Sequence, residues 1–292
     1  MHILVTDSGV GGLSVFAQLE QHFRKNRCGG KTKLTFVNAC PEDDYGYNAM
    51  SSRREKLDTF DRVLFNASRA YQPDCIYIAC NTLSVIYQDT DFFKNEQVPV
   101  FNIVDTGVRQ LMRKLKKQPH KRTMLFATVT TIREAVILKK LMAQGVPSEN
   151  VIRQACPRLA DVISTDLEGA RTRKIVQSYV SEALARVPQK PESAYAYLGC
   201  THYGYRKALF VDVFKEQGVH VETVNPNEGA VEDLLKNIHP PQEDKAFEME
   251  CEVVSRYPLS KSTQATLTHY LYPVSPATVE AIKSVTLSPH LF

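Results

Sequence analysis

"CIYIACNT", residues 75–82, is an apolar run rich in β-branched and aromatic residues that stops at a small residue, a cysteine and two polar residues. A short run bounded this way reads as a buried strand, and the Asn81-Thr82 pair after it reads as a helix start. The same plan recurs 120 residues on in "AYAYLGCTH", residues 194–202, where Cys200 ends the run and His202 follows two positions later. Working outward, the spacing predicts further strands at 2–6, 33–38, 99–103, 123–127 and 220–224. Helical periodicity lies between them, near residues 11–25, 51–70, 82–95, 106–117, 131–144, 166–186, 203–217 and 227–237. Alternating strands and helices are the pattern of doubly wound α/β folds with mainly parallel sheets, whose ligands collect outside the carboxyl ends of the strands. Two matched strand ends indicate two like-built halves. The first α/β domain is expected over 1–104 plus 219–292 and the second over 105–218, with the stretch after about residue 272 a C-terminal appendage carrying one short helix.

The chain has 292 residues, enough for a large core, with 43% hydrophobic and 23% charged residues and a formal charge of +4. The densest basic run, "RQLMRKLKKQPHKR" at 109–122, reads as the solvated face and cationic end of a helix, so no nucleic-acid partner is expected. No apolar stretch approaches the roughly 20 residues of a membrane span and no signal peptide is evident, so a cytoplasmic protein without a membrane partner is expected. The seven cysteines are scattered and form no CxxC pair, which argues against a disulfide framework or a zinc ribbon.

The chemistry should sit where strands end. "TDSGVGG", residues 6–12, is a glycine-rich strand-to-helix turn whose backbone N–H groups can receive an anion. It is not a dinucleotide fingerprint, because Ser14 stands at the third glycine position, and no GK[ST] follows to make a P-loop. Asp7 here has two readings: a cap that stabilises the loop, or a group that holds an ammonium or steers a base. Cys80 and Cys200 also have two readings. A buried cysteine packs as a small hydrophobe, whereas a cysteine at a helix start is biased toward thiolate; two at matching positions favour the second. A zinc site on Cys200 and His202 lacks further ligands at any readable spacing. Cys28, Cys75 and Cys251 read as structural, and Cys40 and Cys156, in loops beside prolines, stay open. Two thiols across one pocket suit inversion of a stereocentre, which needs a base on one face and an acid on the other.

In order, "DSGVGGLSV" (7–15), "DYGYNAMSS" (44–52), "ACNTLS" (79–84), "ATVTTI" (127–132), "ACPRL" (155–159) and "LGCTHYG" (198–204) resemble the motifs of the glutamate racemases, cofactor-independent members of the aspartate/glutamate racemase superfamily. The resemblance spans residues 3 to about 271. It implies two α/β domains related by a pseudo-twofold axis with the active site in the cleft between them. It further implies interconversion of L- and D-glutamate, supplying D-glutamate for peptidoglycan, with no cofactor or metal. The implied partner is a small amino acid, and a homodimer is the family-level assembly. Carried over by position, Cys80 and Cys200 are the acid/base thiols, with Asp7 assisting near Cys80 and His202 near Cys200. Ser8, Tyr45, Gly46, Asn81, Thr82, Thr128, Thr131 and Thr201 hold the substrate's carboxylates and ammonium group. Three positions depart from the pattern: Asp44 where the family has proline, Glu134 where it has a small hydroxyl, and Ser164 where it has a glutamate. These departures leave open a racemase for a different amino acid such as aspartate, or a catalytically retired amino-acid-binding module.

Overall fold

The computed structural model describes residues 1–27, 30–43, 45–95, 98–238 and 247–292; Cys28 and Asp44 lie outside the described residues. Ten strands, β1 (His2–Asp7), β2 (Lys31–Asn38), β3 (Cys75–Ile78), β4 (Val100–Asn102), β5 (Thr123–Ala127), β6 (Val151–Ala155), β7 (Ser193–Gly199), β8 (His220–Val224), β9 (Glu248–Ser255) and β10 (Thr286–Leu287), form two sheets. The first has the order β10-β9-β2-β1-β3-β4 and the second β6-β5-β7-β8. All strand pairs in both are parallel, which places the polar strand ends of each sheet along one edge.

Parallel sheets are covered on both faces, and the alternation of side chains along β1 shows how. Ile3 and Val5 point into the cluster built around the helix Leu13–Asn26, with Phe16 and Phe23, whereas Leu4 points into the cluster around the helix Arg53–Tyr71, with Phe60 and Val63. The second sheet packs Phe126 against Phe210 and Phe214 of the helix Lys207–Glu216. No helix among the described residues is long and apolar enough to cross a membrane.

Several expectations are corrected. The strand at 220–224 pairs with β7 and so belongs to the second sheet, with the chain returning to the first only at β9. The helix expected at 82–95 is three short pieces, Asn81–Ser84, Tyr87–Asp89 and Asp91–Asn95, because Thr90 turns extended and its hydroxyl accepts from Phe93 N. The helix expected at 131–144 breaks at Ala135, which adopts a left-handed conformation (φ 55°) between Val129–Glu134 and Val136–Met142. The stretch after residue 272 is no appendage. Its helix Pro276–Lys283 buries Val279 and Ile282 on the first sheet, β10 adds to β9, and Leu291 sits fully buried in the same cluster as Leu64 and Val254. We therefore expect Leu291→Ala to cost about 2–4 kcal/mol in urea unfolding, where a detached tail would give no change.

Candidate active site

A cavity of about 510 Å³ opens at the carboxyl ends of both sheets. It is lined by Asp7, Ser8, Gly46, Cys80, Asn81, Thr82, Thr128, Cys200, Thr201 and His202 from the residues singled out in the sequence. Each follows a strand: Asp7 ends β1, Cys80 follows β3, Thr128 follows β5 and Cys200 follows β7. The paired register of Ala127 with Gly199 sets Thr128 beside Cys200, as that of Thr6 with Ile78 sets Asp7 near Cys80.

Tyr45 and Thr131 are not in the wall. The Tyr45 hydroxyl donates to Glu55 Oε1 (2.9 Å), and Thr131 stands behind Thr128, their hydroxyls 3.0 Å apart. Thr82 and Thr128 hydroxyls lie 2.9 Å apart, so Thr82, Thr128 and Thr131 form a hydroxyl chain running from the first sheet into the second.

The two sheets meet at Asp7. Its Oδ2 accepts from Thr201 Oγ1 (2.8 Å) and its Oδ1 from Ser8 Oγ (3.4 Å), which makes it a bridge between the two sheets rather than a cap on the following helix. Glycine is required for this approach. A Cβ on Gly11 would run into Thr201 Oγ1 and stand 2.5 Å from His202 Nδ1, and one on Gly12 would stand 2.8 Å from Asp7 Oδ2. Asn227 Nδ2 secures the same turn by donating to the Thr201 carbonyl (2.9 Å) and Ser14 Oγ (2.7 Å).

Cys80 Sγ lies 3.0 Å from Ser8 Oγ and accepts from Leu83 N (3.4 Å); Cys200 Sγ lies 3.8 Å from His202 Nδ1. The expected bias toward thiolate is overturned. Cys80 caps a helix of only four residues and Cys200 a 3₁₀ turn, whereas both thiols are buried. Burial, reinforced by the Asp7 carboxylate, pushes both well above the ordinary thiol range. His202 is held below its usual value by burial, against the pull of Asp7 and Asp161, so it faces Cys200 as a neutral imidazole at pH 7. Among the described residues no group of three or more His, Cys, Asp or Glu is arranged to hold a metal.

Asn81 presents its amide to the cavity. It is 2% exposed, it lines the cavity, and neither its amide nitrogen nor its oxygen has a hydrogen-bond partner. Buried amides are normally satisfied, and a bound molecule offering both a donor and an acceptor, as an amino acid's carboxylate and ammonium do, would complete it.

Other wall residues were not singled out. Asn38 ends β2 and obeys the same strand-end rule, which applied there would have found it; Cys40, two residues on, is the cysteine whose role the sequence left open. Tyr257, Ser260 and Thr263 come from the turn after β9 and the start of the helix Lys261–Leu271, where no motif marks a site.

No protein-family model matches the chain. Among curated proteins it is 29% identical over 207 residues to the glutamate racemase of Aquifex pyrophilus, covering 70% of this chain and 71% of that one. It is 24% identical over 239 residues to that of Aquifex aeolicus, covering 81% and 84%. The solved structure of the Aquifex pyrophilus enzyme superposes with a TM-score of 0.67 at 26% identity, covering 95% of this chain and 97% of that one. Over most of its length the chain is thus similar to glutamate racemases, in sequence at 24–29% identity and in fold. The fold is shared as well by the glutamate racemase of Francisella tularensis, solved with D-glutamate, at TM-score 0.71 and 19% identity over 94% of both chains.

Two departures from the family pattern now have places. Glu134 points out of the cavity to Arg53, which also pairs with Asp89. Ser164 lines the cavity and donates to its own helix at Ala160 O (3.1 Å), while Asp161, one turn earlier on the helix Leu159–Thr165, brings a carboxylate to the wall. The protonated state of the buried thiols is open to measurement: alkylation of Cys80 and Cys200 by iodoacetamide, followed by peptide mass spectrometry, should be slow at pH 7. Its rate should rise about tenfold per pH unit up to pH 9. A rate that levels off below pH 8 would mean stabilised thiolates.

Proposed function

We propose that the protein is a cofactor-independent racemase that interconverts L- and D-glutamate by α-proton transfer between two thiols. The observation that carries this reading is the pairing of Cys80 and Cys200, one from each sheet, in the wall of one cavity that also holds the unpartnered amide of Asn81. Each thiol has its own polar neighbour, Ser8 and Asp7 for Cys80 and His202 for Cys200. The thiolate is generated when substrate enters by passing the thiol proton to a neighbouring base, the His202 imidazole for Cys200 or, through the Ser8 hydroxyl, the Asp7 carboxylate for Cys80, and desolvation makes it strongly basic. One thiolate takes the α-proton from one face while the other thiol delivers a proton to the opposite face, and the roles exchange in the reverse reaction. The hydroxyls of Ser8, Thr82, Thr128 and Thr201, with Asn81, receive the carboxylates and ammonium group.

On this reading the two sheets are the cores of two α/β units whose cleft is the active site. The protein acts in the cytoplasm, with a homodimer as its assembly and peptidoglycan synthesis as the use of its D-glutamate. An amino acid other than glutamate is the second reading, favoured by Asp43 and Asp161 at the cavity wall, which add negative charge where an acidic substrate would enter.

The test is incorporation of solvent deuterium at Cα of L- and D-glutamate, with a panel of other amino acids including aspartate alongside. Cys80→Ser and Cys200→Ser should each lower exchange by about 10²–10⁴-fold with the melting temperature little changed. Wild-type turnover in either variant rules out the two-thiol mechanism, and faster exchange of another amino acid reassigns the substrate.

A further inference from the structure

Lys56, near the start of the helix Arg53–Tyr71, is a buried lysine with a residue exposure of 8%. Its Nζ donates to Thr130 Oγ1 (2.8 Å), a neutral hydroxyl. No ion pair to it occurs among the described residues. The carboxylates that face it are Glu55 and Glu134, and both are engaged elsewhere. Glu55 accepts from the Tyr45 hydroxyl and from Ser51, while Glu134 pairs with Arg53. Arg133 adds further positive charge, and burial together with Arg133 draws the ammonium below its usual range. A buried charge is ordinarily paired, so this one lacks the anion that would balance it.

The location says where that anion comes from. Thr130 lies in sequence between Thr128, in the cavity wall, and Thr131, in the hydroxyl chain, and its N–H donates to Oδ1 (3.2 Å) of Asn48, another wall residue. Lys56 thus stands behind the threonine-lined end of the cavity. The cavity wall itself holds three carboxylates, Asp7, Asp43 and Asp161, and no lysine or arginine among the described residues. A substrate carrying carboxylates would meet a negative wall unless a cation behind it offset the potential.

We propose that Lys56 is a positioning residue for the substrate: its ammonium, held by Thr130 behind the Thr82–Thr128–Thr131 hydroxyls, is balanced by a carboxylate of the bound amino acid. The proposal rests on the racemase reading for the identity of that ligand, and it goes beyond it in assigning a cation that touches neither the reacting atoms nor the cavity wall. Lys56 acts on binding, so its loss should appear in KM and Kd and leave kcat largely in place.

The experiment compares wild type, Lys56→Gln and Lys56→Arg by calorimetric titration with D-glutamate, by deuterium exchange at Cα, and by thermal melting. Glutamine keeps an N–H donor for Thr130 and removes the charge; arginine keeps the charge. Lys56→Gln should weaken Kd and raise KM by about tenfold, with kcat within about threefold of wild type. Lys56→Arg should recover most of the affinity. Unchanged affinity in Lys56→Gln overturns the proposal. So does an equal loss in both variants accompanied by a lowered melting temperature, which marks a packing role. If the wild type binds D-glutamate without exchanging its α-proton, the racemase reading fails while the Kd comparison still decides the role of Lys56. A wild type that binds no D-glutamate overturns both.

Discussion

The hydrogen bond from Thr201 Oγ1 to the buried Asp7 Oδ2 joins the strand ends of the two sheets inside the cavity. For it to form, β1 and β7 must bring their carboxyl ends within hydrogen-bond reach, and the turn at Gly11 and Gly12 must carry no side chain. Once the bond is made, the rest of the site has little freedom. Ser8 is carried to Cys80, His202 to Cys200, and Asn227 fixes the Thr201 carbonyl from behind. Asp7 therefore has a structural duty that its chemistry must coexist with. Burial raises the thiols on both sides of it, and the Asp7 carboxylate adds to that rise.

Burial dominates the electrostatics of the cavity. The helix starts that follow the cysteines are too short to supply much positive potential, so desolvation prevails and the resting thiols keep their protons. The same burial leaves the Asn81 amide without a protein partner, so its donor and acceptor are available to a bound molecule.

Much of the fold was legible because its signals are local. Apolar runs ending in a polar residue marked seven strands, and the strand-end rule alone collected Asp7, Cys80, Thr128 and Cys200 into one place. What escaped depends on long-range context. β6 is an edge strand interrupted by an exposed Arg153 and a buried Gln154, and β9 alternates glutamates with apolar residues before its buried end, so neither shows a continuous apolar run. The family resemblance carried Tyr45 and Thr131 into the candidate site, yet the hydroxyl of one is taken by Glu55 and the other is screened by Thr128. Lys56 escaped because a lysine in a helix reads as solvated, whereas this one is buried with its ammonium on Thr130 of the helix Val129–Glu134.

The position of β9 in the first sheet bears on how the protein is made. β2 is an interior strand only because β9 pairs with it along seven residues, from Lys31 with Glu248 to Val37 with Val254. Asn38 and Ser255, which close that seam with a side-chain hydrogen bond, are 217 residues apart. At ribosomal speed the nascent chain carries β2 with one edge unpaired for on the order of ten to forty seconds before its neighbour emerges. Over that interval the apolar residues Phe36 and Val37 lie beside an open row of backbone donors and acceptors, the kind of edge that pairs with other chains. The second sheet, whose strands all lie within 123–224, can be completed while the first still waits. The half that is written first is thus finished last.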